Sequence, residues 1–194
     1  MANFRIFAES KADIKFLKDY ILEIFGLTLL DSDFDPLLSW AGYKAGGNLI
    51  QSIRQNHDDT KASILILDAD SDINSRREEI SQDFQTYGIP LNLFLFPNDS
   101  INGNMEVLLA EIAVNRKIMD CFLEYERCVD GHPKPLNHSR IYAYLDMLLY
   151  PNFNNKEGKD LRKEEFRNYR NSQHWNLQHE TLTPLKDFLQ PFLI

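Results

Sequence analysis

The stretch Ser63-Ile64-Leu65-Ile66-Leu67-Asp68-Ala69-Asp70-Ser71-Asp72 joins an unbroken apolar run to three carboxylates at every second position. Ile64 to Leu67 are apolar without alternation, the pattern of a strand covered on both faces in a parallel α/β sheet. Open sheets of this kind bind ligands beyond the carboxyl ends of their strands. The run therefore delivers acid to the place where a ligand would sit. If the strand stays extended through Asp70, alternation points Asp68 and Asp70 the same way. Two carboxylates that close repel unless positive charge lies between them. A hard divalent cation such as magnesium takes oxygen ligands, often only one or two carboxylates, and meets that need.

Working outward, strand-like and helix-like segments alternate. Phe4, Ile6 and Ala8 predict a first strand that ends on Glu9. Ser10 then caps a helix from about Lys11 to Phe25, with Ile14, Leu17, Ile21 and Phe25 on one stripe and Gly26 as its stop. An aspartate-rich connection leads to Leu37–Gly42, which reads as a short second strand, and Leu49 to Asn56 suggests a second helix. Between them, Gly46-Gly47 suits a turn better than a phosphate cradle. After the acidic stretch comes a charged helix from Asn74 to Tyr87, closed by Gly88, and then a proline-bounded strand over Ile89–Pro97. Met105 to Val129 is helical with a break near Asn115. Strand and helix in turn predict a mostly parallel, Rossmann-like four-stranded sheet sandwiched by helices. Residues 1–130 form this α/β domain. Composition changes at Gly131-His132-Pro133-Lys134-Pro135, so residues 131–194 read as a helical C-terminal extension packed on it, with an aromatic helix over Ser139–Tyr150.

With 43% hydrophobic residues among 194, the chain can build a sizeable core. A net charge of −8 argues against gripping nucleic acid through bulk positive charge, yet allows contact with phosphates through a metal. Cys121 and Cys128 lie seven apart on one helix, about 10 Å of rise, and are expected to be buried thiols. The N-terminal residues do not read as a secretory signal, and no apolar run reaches membrane-spanning length. The expectation is a soluble cytoplasmic protein without a membrane partner.

Placed on their strands, Glu9, Asp68 and Asp70, with Asp72 and Glu106 nearby, all fall at one edge of one sheet. Here the sequence resembles the Toprim domain of DNA primases, topoisomerases and OLD-type nucleases. In that family a glutamate ends the first strand and an Asp-x-Asp pair ends the third. Glu9 in Phe7-Ala8-Glu9-Ser10-Lys11-Ala12-Asp13-Ile14 matches the first element, with Ser10 where glycine is usual, and Asp68 and Asp70 match the second. Gly103-Asn104-Met105-Glu106-Val107-Leu108-Leu109 is similar to an element of small stand-alone Toprim-like bacterial proteins, as are the segments around Cys121–Tyr125 and Ile141–Leu145. The resemblance implies that Glu9, Asp68 and Asp70 hold Mg2+ or Mn2+, with Glu9 as catalytic acid or base. It offers Asp72, Glu106, Asp13 and Lys11 as further candidates. It implies a metal-dependent nuclease or phosphodiester-transfer protein acting on DNA or RNA. The alternative is a non-catalytic module that binds nucleic acid or a protein partner such as an ATPase.

Residue chemistry alone keeps blander readings beside these. Aspartates after a strand are ordinary turn residues, Asp13 suits the first turn of a helix, and Asp72 suits an N-cap. Lys156–Arg170 is locally basic, six Lys or Arg against four acids. Arg162, Lys163, Arg167 and Arg170 are its candidate nucleic-acid contacts, although a solvated helix face explains the run as well. A phosphatase of the Asp-x-Asp kind would need a later Thr or Ser and a lysine in matching positions, and none stands out.

Overall fold

The computed structural model describes residues 3–36, 48–129, 136–148, 163 and 167–194. Four strands, β1 (Phe4–Ala8), β2 (Phe34–Pro36), β3 (Ala62–Asp68) and β4 (Asn92–Phe96), form one parallel sheet in the order β2-β1-β3-β4. Seven α-helices are described: α1 (Lys11–Phe25), α2 (Asn48–Asp58), α3 (Ile73–Tyr87), α4 (Met105–Ile112), α5 (Arg116–Cys128), α6 (Leu136–Leu148) and α7 (Thr183–Leu193). The predicted α/β class with a parallel sheet between helices is the one observed. Helix α1 stops at Gly26 and α3 at Gly88, both left-handed, as their glycines predict. The long helical stretch breaks at Asn115, which precedes α5.

Strand periodicity sorts the core into two layers. Phe4, Ile6, Ala8, Ile64, Ile66, Phe94 and Phe96 point to the face covered by α1, α4, α6 and the C-terminal segment. Phe7, Leu65, Leu67, Leu93 and Leu95 point to the other face, under Ile50 and Ile53 of α2 and Ile73, Ile80 and Phe84 of α3. This is why β3 is apolar at every position from Ile64 to Leu67: neither face meets water there. Each such Leu or Ile contributes about 1.5–3 kcal/mol by leaving water. The described C-terminal residues belong to the first layer. Tyr169, Trp175, Leu177, Leu182, Leu185 and Leu189 are buried there. Tyr20 Oη donates to the Leu182 carbonyl, the Tyr169 amide donates to the Asp19 carboxylate, and the Asn176 amide donates to the Ile112 carbonyl.

Three expectations need correction. The second strand lies at Phe34–Pro36, within the stretch read as a polar connection, because extended chain there pairs in register with Ile6–Ala8. Leu37–Gly42 and the Gly46-Gly47 pair lie outside the described residues. Cys121 and Cys128 are free but exposed, not buried: of α5 only Met119 is fully covered. Finally, β3 ends at Asp68, and Asp70 has φ +55°, so the extended geometry that would align the two aspartates stops between them. Among the described residues no helix is long and apolar enough to cross a membrane.

Candidate functional site

After β1 the chain crosses to β2 on one side, and after β2 it returns to β3 on the other, so the strand order reverses between β1 and β3. A crevice opens outside the carboxyl ends of two strands at such a switch point. Glu9 follows β1 directly and Asp68 is the last residue of β3. The two are adjacent there, and Glu9 Oε1 accepts the Asp68 amide at 3.2 Å.

Asp68 is the most strained acid of the group. Its Oδ1 accepts the Met105 amide at 3.1 Å, the first amide of α4, where a helix terminus favours negative charge. That support does not balance burial, which pushes its pKa up to about 9 together with the nearby charges of Asp13, Glu9 and Glu106. Burial also raises Glu9, against the lowering effects of the Asp68 amide and Arg76. Asp13 is pushed to about 7, again chiefly by burial, although Ser10 binds it. Glu106, in the first turn of α4, acts on both Asp68 and Asp13.

The remaining candidates have local jobs. Asp13 closes a capping box with Ser10: the Ser10 amide donates to Asp13 Oδ2 at 2.8 Å and the Asp13 amide to Ser10 Oγ at 3.2 Å. Ser10 is extended, with φ −138°, so the position does not need glycine, and its hydroxyl caps α1. Lys11 begins α1 and is exposed. Asp72 is the N-cap of α3, accepting from the Asn74 and Ser75 amides and the Ser75 hydroxyl, bonds that lower its pKa. Asp70 is 63% exposed at the rim. Its backbone exchanges two 2.8 Å hydrogen bonds with Gly103. Asn102 accepts the Ile73 amide and donates to the Ser71 carbonyl, so the loops after β3 and β4 are joined.

Of the basic segment's candidate contacts, Lys163, Arg167 and Arg170 lie within the described residues. Arg167 is buried beside the Tyr169 hydroxyl with its guanidinium 5.8 Å from the Tyr142 ring centre, which removes it as a nucleic-acid contact. Arg170 pairs with Glu23 near the end of α1, about 18 Å of helix from Lys11. Lys163 is exposed, and Arg162 lies outside the described residues.

One residue of the site escaped the sequence reading. Arg76, which the sequence places only within a charged helix, is buried, and its Nη2 donates to Glu9 Oε1 at 3.0 Å. A signal for it exists in the sequence: Ile73, Ile80 and Phe84 mark the buried stripe of α3, and Arg76 falls on it at helical spacing.

Donors that are all carboxylate oxygen, crowded and desolvated, suit a hard divalent cation such as Mg2+ or Mn2+. Among the described residues no three His, Cys, Asp or Glu side chains lie close enough to hold a metal by themselves. Magnesium commonly needs only one or two protein carboxylates, completed by water and substrate phosphate. Asp68 with Glu9 or Glu106 fits that smaller demand. Fold and site thus define an open parallel α/β sheet with acids at its switch point. Comparison with family models, with curated proteins and with solved structures finds none that matches this chain.

Proposed function

We propose that this chain is a Toprim-like, cytoplasmic phosphodiester-processing protein that acts on DNA or RNA with a divalent cation, Mg2+ or Mn2+. The observation that carries the reading is the pairing of Glu9 and Asp68 at the carboxyl ends of adjacent parallel strands, joined by the Asp68 amide. A divalent cation bound to such carboxylates polarises a phosphoryl oxygen and stabilises the leaving oxygen. The chain's own groups do the rest. Met105 fixes Asp68 through its amide. Glu9 Oε1 is committed to the Asp68 amide and to Arg76, so Oε2 is the atom at which Glu9 would take or give a proton. Burial, by raising the Glu9 pKa, brings that exchange nearer to neutral pH.

A second reading has an observation of its own. Arg76 already neutralises Glu9, which favours a module that binds nucleic acid or a partner such as an ATPase without cutting. Incubation with single- and double-stranded DNA and RNA in Mg2+ or Mn2+ separates the two. The nuclease reading expects cleavage that is lost in both Asp68→Asn and Glu9→Gln. Cleavage surviving in both variants would remove the assigned site, and binding without cleavage would leave the module.

A further inference from the structure

We infer that Arg76 is a built-in second cation of the carboxylate cluster: the centre takes a single divalent ion, and the Arg76 guanidinium occupies the place of another. The inference rests on the divalent-cation reading above. Nη2 of Arg76 lies 3.0 Å from Glu9 Oε1 and 4.0 Å from Asp70 Oδ2, and Nε donates to the Asp68 carbonyl at 3.3 Å. Contacts from Nε and Nη2 to different residues fix the plane of the guanidinium between an inner acid and a rim acid. An ion bridging Glu9 and Asp70 would need the same space, against a positive charge a few ångströms away.

Arg76 has no easy way to leave. Its side chain is 8% exposed. The helix that carries it is anchored by buried Ile73, Ile80 and Phe84, by the Asp72 cap and by the Asn102 bond to the Ile73 amide. Glu9 is therefore held by a fixed cation, and Arg76 is a positioning residue for it. On the other side, Asp68 lies beside Glu9 at the adjacent strand end and against the start of α4, which carries Glu106 in its first turn, and its carboxylate leans on the neutral Met105 amide. That is where one divalent ion relieves the most repulsion. A bound phosphodiester would then face one metal and one guanidinium, whose planar fork suits phosphate oxygens.

The test is Mn2+ titration of the full chain, counting bound ions from the electron paramagnetic resonance of the free ion, with circular dichroism to check folding. Wild type is expected to bind one Mn2+, and Asp68→Asn none. Arg76→Gln, which removes the charge, gains a second ion, while Arg76→Lys, which keeps it, stays at one. Two ions in the wild type, or one in both wild type and a folded Arg76→Gln, would overturn the role of Arg76 and leave the cation reading standing. No Mn2+ on wild type or Arg76→Gln would overturn both. Should Arg76→Gln not fold, the stoichiometry of wild type and Arg76→Lys still decides: two ions in the wild type, or a second gained by the charge-keeping lysine, sinks the inference.

Discussion

The two ends of α4 make opposite use of charge. At its first turn, Asp68, Glu9, Asp13 and Glu106 share a small desolvated space in which the pKa values of the first three are raised. At its last turn the surface opens into a cleft of about 760 Å3 lined by Glu23, Glu111, Arg116, Arg170, Trp175 and their neighbours. Both arginines of the cleft are already engaged: Arg170 pairs with Glu23, and Arg116 donates to the Ala110 and Glu111 carbonyls. Volume alone would direct attention to the cleft, but unbalanced charge points to the other end. Perturbed acids at a sheet switch point mark chemistry better than space does.

The sharpest way to test this division is to damage the cleft end. Trp175→Ala removes a buried ring packed on Tyr144 and Tyr169, and is expected to cost about 3–5 kcal/mol in denaturant unfolding. Cation binding by the folded fraction should stay unchanged; a loss would tie the two ends together. A smaller effect of opposite sign is expected at the acid end. Asp68→Asn keeps an oxygen for the Met105 amide and is neutral without having to take up a proton on folding, so without metal at pH 8 the variant should be about 1–3 kcal/mol more stable than wild type.

The pH dependence follows from the same carboxyls. Below the ordinary aspartate value of 3.8, the proton on Asp68 is present in both folded and unfolded chains. Above it the unfolded chain ionises first, so the stability that Asp68 contributes by holding a proton is lost as pH rises toward about 9, and that of Asp13 toward about 7. Wild-type stability without metal should thus fall from pH 4 upward more steeply than that of Asp68→Asn. Equal slopes in thermal melts would refute the strained cluster.

Two substitutions near the site probe its edges. Gly103 has φ +137°, and a Cβ there would meet the Val107 side chain at 3.0 Å. Gly103→Ala is therefore expected to cost about 1–3 kcal/mol. Asp72→Ala, losing an N-cap, should cost about 1 kcal/mol and leave Mn2+ binding as it was. Weaker Mn2+ binding would return Asp72 to the site.

The legible stretches of the chain were those decided by local rules. Continuous burial of Ile64–Leu67, the glycine stops at Gly26 and Gly88, and Glu9 and Asp68 at adjacent strand ends all follow from residue type and spacing. The short β2 did not, because three residues of Phe-Asp-Pro carry no periodicity and become a strand only by pairing with β1. Asp70 looked equivalent to Asp68 because alternation assumes extended backbone, and its left-handed turn is set by the Gly103 bridge from a distant loop. Arg76 was hidden by its neighbours, since a run of charge suggests solvent unless the apolar stripe of the same helix is traced through it.

The reciprocal Asp70–Gly103 bonds, with those of Asn102, have a dynamic consequence. Two loops joined by paired bonds in both directions cannot separate bond by bond. Amide protons of Asp70, Ile73 and Gly103 should exchange with solvent through one shared opening, at one common free energy. The wall of the crevice on the β3–β4 side thus behaves as a single hinged panel, and whatever stiffens either loop stiffens the seat of Asp68.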